Sequence, residues 1–222
     1  PLLPESELPR ILGSHERRLA VAKSEPGSIA GEALAQLAWG DHAFGRVFPS
    51  PERLSSYTID DVRRFHAANF GAQRTHVYVA GRYDRAALEA ALRRGFADWA
   101  PGPAPTVNPP SLRAGPAVRF VDRPGAAQST VLLALPAPDP SHPDWMAFSL
   151  MNTLLGGSFS SRITRNIRED KGYTYSPGSS VTANRRAAMW VQAADVTTAD
   201  TAAALREIFA EIRRLAAEAP SA

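Results

Sequence analysis

The stretch 101–116, PGPAPTVNPPSLRAGP, holds six prolines and two glycines, and it limits the folds open to this chain more than any other feature. Proline fixes its own φ and has no N–H to donate, so such a stretch suits neither a helix interior nor a central strand. The chain is therefore read as an earlier part (1–105), a linker (106–116) and a later part (117–222). The patterns on the two sides differ. In the earlier part Leu8, Ile11, Leu12, Leu19 and Val21 recur at helical spacing up to Lys23, and Glu25-Pro26-Gly27 interrupts them. Ser28 is read as the cap of a second helix ending at Gly40. Thr58 is read as the cap of another helix running to Phe70, with Asp60 and Asp61 where the dipole favours carboxylates. Thr75–Ala80 alternates and predicts a strand, and Asp84 opens a helix towards Trp99.

After the linker the pattern predicts strands at Val118–Asp122 and Ser129–Leu135. A helix follows over Pro143–Leu155, stopped by Gly156-Gly157, and then a short helix over Ser160–Asp170. Strands at Tyr173–Val181 and Ala188–Asp195 precede a last helix to Ala217, capped by Thr198 or Asp200. Strands and helices are segregated rather than alternating. That order predicts an α+β fold, two sandwich-like units with antiparallel-rich sheets and helices on one face.

Composition narrows the functions. With 222 residues, 44% hydrophobic and 21% charged, the chain can bury a core without staples. It has no cysteine, which excludes disulfides and thiolate metal sites. The net charge is +3 and no long run of like charges occurs, so no nucleic-acid partner is expected. No apolar window is long enough for a membrane span. The start, Pro1-Leu2-Leu3-Pro4, lacks methionine and is read as a processing or truncation boundary.

The histidines are His15, His42, His66, His76 and His142, and no two lie three or four residues apart. H-E-x-x-H and its inverse are absent, so no metal site is expected within the chain. G-x-S-x-G and the phosphate-loop pattern are absent too. The most distinctive run is Leu154–Tyr175, LLGGSFSSRITRNIREDKGYTY: a glycine loop, a basic helix and an aromatic strand. Arg168 is followed seven residues later by Tyr175. Arg162 and Arg165 share its helix, and Tyr173 would share the strand face of Tyr175. The residues alone leave two readings open. Arg168 either serves a site with Tyr175 or pairs with a nearby carboxylate. Gly156 and Gly157 either permit a close backbone approach or simply end a helix.

GGSFSSRI followed by REDKGYTY resembles the second homologous domain of the pitrilysin/insulinase peptidases, the family of the mitochondrial processing peptidases. VDRPGAAQSTVLLALPAP resembles the opening strand pair of that domain. WGDHAFGRV, LSSYTIDDVRRFHAANF and THVYVAGRYD resemble earlier family segments, in the family's order. The resemblance implies that the chain straddles two homologous domains, each incomplete here. The family binds zinc through an inverted H-x-x-E-H, which would lie before Pro1, and a distant glutamate, whose place falls on Arg18. Arginine has no lone pair to offer a metal, and Glu16 and Glu25 lie only nearby. The second-domain counterpart of the zinc helix, DWMAFSLMNTLLGG, has no ligands either. Zinc is thus expected in a homologous partner subunit or an upstream segment, and none in this chain. The resemblance gives Arg168 and Tyr175 a catalytic role at the scissile bond of a peptide substrate. It gives Gly156, Gly157, Ser158 and Tyr173 a substrate-binding role. Three functions follow: a non-catalytic subunit of a heterodimeric peptidase, a self-sufficient zinc endopeptidase, or a non-enzymatic peptide-binding or assembly protein. Analogy favours the periplasm, with the cytoplasm as the alternative.

Overall fold

The computed structural model describes residues 2–113, 115–184 and 186–218; Pro1, Ala114, Arg185 and residues 219–222 lie outside the description. The chain forms two compact units. One comprises Pro1–Arg18 with Pro49–Asn108, the other Leu19–Phe48 with Pro109–Ala222. Helix α1 (Leu8–Ala22) contributes to both. Helix α2 (Pro26–Trp39) groups with the residues after the linker, although it precedes the linker in sequence. It packs on the first strand of that unit, and the Arg113 N–H donates to the Ala38 carbonyl at 2.9 Å. The cap of α2 is not Ser28: the helix starts at Pro26, with Glu25 in the capping position. Proline is already set for the first helical position, where its missing N–H leaves no bond unmade.

The first unit holds α3 (Pro51–Ser55), α4 (Ile59–Asn69) and α5 (Arg85–Phe96). Thr58 caps α4 as the sequence predicts. Its hydroxyl accepts from the Asp61 N–H at 3.3 Å, and its own N–H donates to the Asp61 carboxylate at 2.8 Å. The Thr58 hydroxyl, donating to the Asp61 carboxylate at 2.7 Å, and then the Thr58 N–H hold the Asp61 carboxyl below its ordinary value. Among the described residues this unit contains no strand. Thr75–Ala80 is not a strand, and Tyr78 is 89% exposed. The same holds for Val118–Asp122 in the second unit, where Phe120 is 85% exposed. Alternation gives a segment the habit of a strand, but a strand exists only as a ladder with a neighbour. Neither segment has one among the described residues.

The second unit is built on an antiparallel sheet of order β1-β3-β2, with β1 (Gln128–Ala137), β2 (Gly178–Asn184) and β3 (Ala187–Thr197). Val131 faces Ala194, Leu133 faces Gln192 and Val181 faces Trp190 across the ladder. Opposed residues share a face, so all six project to one side. There the core gathers around Trp190, Val196, Ile163, Ile167 and Ile208. Ile163 and Ile167 come from α7 (Arg162–Thr164) and the π-helical turns after it, Arg165–Asp170. Ile208 comes from α8 (Thr201–Ala217). The strand predicted over Tyr173–Val181 starts only at Gly178. Pro177 cannot donate to a ladder, and before it only Thr174 bridges to Val196.

Helix α6 (Trp145–Asn152) does not stop at the glycine pair but widens into a π-turn over Thr153–Gly157. A Cβ on Gly156 would lie 2.5 Å from Ser179 Oγ and 2.7 Å from Gln192 Oε1. A Cβ on Gly157 would lie 2.5 Å from Asn152 Nδ2. Gly156 thus lets the turn sit against the sheet, and Gly157 lets it close on the end of α6.

Candidate functional site

The π-turn ends at Ser158, whose backbone swings to an extended φ of −129° and ψ of 161°. Its carbonyl accepts from the Ser161 N–H at 3.1 Å and from the Thr164 hydroxyl at 3.4 Å. The loop 158–161 is thus tied to the start of α7. Beneath it, Asn152 Oδ1 accepts from Ser179 Oγ at 2.7 Å and from the Trp190 ring N–H at 2.8 Å. This bond set fixes the glycine turn to β2 and β3.

Between this turn and the segment before β2 lies a cleft of 380 Å³. Gly156, Gly157, Ser158, Arg168 and Tyr175 all line it. Arg168 and Tyr175 meet directly, with the guanidinium carbon 4.9 Å from the centre of the tyrosine ring. The same carbon lies 4.2 Å from the centre of the Phe159 ring. Arg168 keeps only 22% of its side chain exposed, while Tyr175 is 78% exposed. The nearest carboxylate, Glu169, approaches Arg168 Nε at 3.8 Å, which is an ion-pair distance and not a hydrogen bond. Among the described residues Arg168 is the one basic side chain that lines the cleft, and no carboxylate lines it.

Three other motif residues lie elsewhere. Tyr173 packs against the core and is not among the residues lining the cleft, because without a strand there it does not share a face with Tyr175. Arg162 turns inward, its Nε–H donating to Glu211 Oε2 at 2.9 Å. Arg165 is exposed. Glu211 also accepts from Asn166 at 3.1 Å and Arg214 at 3.4 Å, and Asn166 reaches Glu207 at 3.0 Å. This network fastens the segment carrying Arg168 to α8. Sequence reasoning passed over Phe159 and Glu211. A bulky aromatic among glycines and serines is a readable signal for Phe159. Nothing local marks Glu211, which is one of two glutamates on α8.

The residues present do not fit a zinc ion. Among the described residues no three histidine, aspartate or glutamate side chains form a metal-holding group. At the place where the resemblance puts a glutamate, the Arg18 guanidinium lies 3.4 Å from the His15 ring, a cation where a metal ion would need a lone pair. No described helix is long and apolar enough to cross a membrane.

The sequence profile described as the peptidase M16 inactive domain matches residues 56–222. The chain belongs to the peptidase M16 inactive-domain family. The M16 match runs through the proline-rich stretch and takes in the glycine turn, Arg168 and Tyr175. An uncharacterized zinc protease of Mycobacterium leprae is 31% identical over 163 residues, covering 71% of this chain and 36% of that protein. The chain thus spans well under half of that relative's length. Among solved structures, the M16 inactive domain from Pseudomonas fluorescens superposes with a TM-score of 0.85 at 23% identity, over 98% of this chain and 53% of that one. A Helicobacter pylori protease gives 0.82 at 18% identity, over 98% and 55%. At these identities the likeness establishes the M16 fold.

Proposed function

We propose that this chain is the non-metal, substrate-clamping part of an M16 peptidase. In this reading Arg168 and Tyr175 hold the scissile carbonyl of a peptide, and a zinc-bearing homologous subunit supplies the metal. One observation carries the reading: a guanidinium and a phenol share one cleft with a glycine turn, in a chain whose described histidines and carboxylates form no group of three that could hold a metal. The chemistry suits the pair. When a nucleophile adds to a peptide carbonyl, the C=O electron pair moves onto oxygen. A guanidinium N–H and a phenol O–H donate hydrogen bonds to that oxygen, and these strengthen as its charge grows. One such donor lowers the barrier by about 3 kcal/mol, roughly 100-fold in rate.

The test uses the full-length protein combined with its zinc-bearing homologue and fluorescein-labelled β-casein, an unstructured polypeptide. Arg168→Ala and Tyr175→Phe are each expected to lower kcat by about 100-fold, with zinc content and assembly unchanged. Unchanged turnover in both variants would sink the reading. Turnover by this protein alone, with zinc bound in the same polypeptide, would point to a self-sufficient peptidase. Polypeptide binding that survives both substitutions, without turnover, would point to an assembly role.

A further inference from the structure

We infer that Phe159 is the positioning residue of this clamp. Its ring holds the Arg168 guanidinium over the cleft, beside Tyr175 and beyond hydrogen-bond reach of Glu169, while leaving its N–H groups available to a ligand. The inference rests on the reading of Arg168 and Tyr175 as a peptide clamp and adds a residue that acts through Arg168.

Phe159 is 70% exposed and is not part of the buried core, so core packing does not explain its place. What its ring does touch is Arg168, whose guanidinium carbon lies 4.2 Å from the ring centre. Its backbone is anchored: the preceding carbonyl, that of Ser158, is held by the Ser161 N–H and the Thr164 hydroxyl. The ring therefore starts from a fixed point, as an element that positions something else must.

The choice of an aromatic partner has a chemical consequence. A carboxylate holds an arginine by accepting from its N–H groups, as Glu211 does with Arg162 at 2.9 Å. An arginine held that way has spent donors that a substrate oxygen would need. An aromatic face attracts the cation through its quadrupole and accepts from none of the edge N–H groups. Glu169, half-exposed and already at ion-pair distance, 3.8 Å from Nε, is the neighbour able to draw the Arg168 N–H groups into hydrogen bonds. The Phe159 ring opposes that movement. It also shields the guanidinium, which strengthens whatever hydrogen bonds Arg168 makes to an anionic oxygen.

The test compares Phe159→Leu, which keeps an apolar side chain but removes the quadrupole, with Phe159→Trp, which keeps it. Two readouts are made on the full-length protein. The first is the Arg168 Nε–Hε resonance, assigned by its loss in Arg168→Lys and displaced in the wild type by ring currents. The second is anisotropy-measured affinity for fluorescein-labelled β-casein under conditions without turnover. Phe159→Leu is expected to move the resonance towards that of a free arginine and to weaken affinity roughly fivefold. Phe159→Trp is expected to keep a displaced resonance and wild-type affinity. Melting temperatures should match in all three proteins, since the side chain is exposed. If Phe159→Leu leaves the resonance or the affinity unmoved, or if Phe159→Trp loses as much affinity as Phe159→Leu, the inference is overturned. If Arg168→Ala itself leaves affinity intact, the clamp reading falls instead, and the resonance still reports whether Phe159 holds the arginine.

Discussion

Arg162 and Arg168 stand at the two ends of one short segment, yet their surroundings are opposite. Arg162 is 15% exposed and its Nε–H is bonded to Glu211, itself 7% exposed and held by Asn166 and Arg214 as well. Arg168 lies over two exposed rings in a cleft, with no carboxylate of the described residues within hydrogen-bond distance. The two are the same residue type on adjoining helical turns. What separates them is the element that each meets. The N-terminal end of the segment lies on α8, which brings an acid; the C-terminal end projects beside the glycine turn, which brings an aromatic ring and open space. One end is built to stay put and the other to receive something, and the first makes the second possible.

The sharpest way to break this contrast is to remove the acid. Glu211→Ala leaves Arg162 largely buried with its carboxylate gone, and Asn166 loses one of its two acceptors. Breaking a buried pair from one side costs about 3–5 kcal/mol, mostly because the remaining charge is left unpaired. Urea unfolding should show a loss of about 3 kcal/mol. A loss below about 1 kcal/mol would mean that the inward end is not held by this network, and the contrast with the outward end would dissolve.

A smaller effect is expected at the turn that frames the cleft. Gly156→Ala puts a methyl group against Ser179 Oγ and Gln192 Oε1 at distances that cannot persist, so those side chains, the turn or the strand must shift. Overpacking of this kind costs about 1–3 kcal/mol. The same shift should widen the cleft, so β-casein affinity should fall along with stability. Stability lost at unchanged affinity would mean that the turn is structural only and that the receiving end of the segment does not depend on it.

Much of this was legible in the sequence. The helix starting at Leu8 carries its own periodicity, those after Thr58 and Asp84 carry their caps, and the structure has all three. Strands β1 and β3 follow apolar runs of the right length. Thr75–Ala80 and Val118–Asp122 were misread because alternation speaks only for one side of a ladder, and pairing is a property of two segments. The helix stop at the glycine pair was misread because the turn there continues against Ser179 and Gln192, which lie far along the chain, and no local pattern announces them. In the site, the spacing of Arg168 and Tyr175 was visible and the structure brings the two together. The fates of Arg162 and Tyr173 were not visible, since they depend on α8 and on where Pro177 lets β2 begin. Local chemistry was readable where the residues explain themselves, and it failed where a distant element makes the choice.

The smallest expected effect is also the one that tests the contrast from its other side. Arg168→Ala removes a cation from over two exposed rings, an interaction worth about 0.5–1 kcal/mol at such sites. The accompanying approach to half-exposed Glu169 is an exposed-type pair that contributes little. No buried group is left without a partner, because Glu169 can turn to water. Arg168→Ala should therefore change the unfolding free energy by less than about 1 kcal/mol, while Arg162→Ala, which leaves Glu211 buried without its Nε–H donor, should cost several times more. The decisive measurement is the pair of urea midpoints taken at equal slope. If the two alanine variants lose equal stability, Arg168 is as structural as Arg162, and the cleft has no arginine to spare for a ligand.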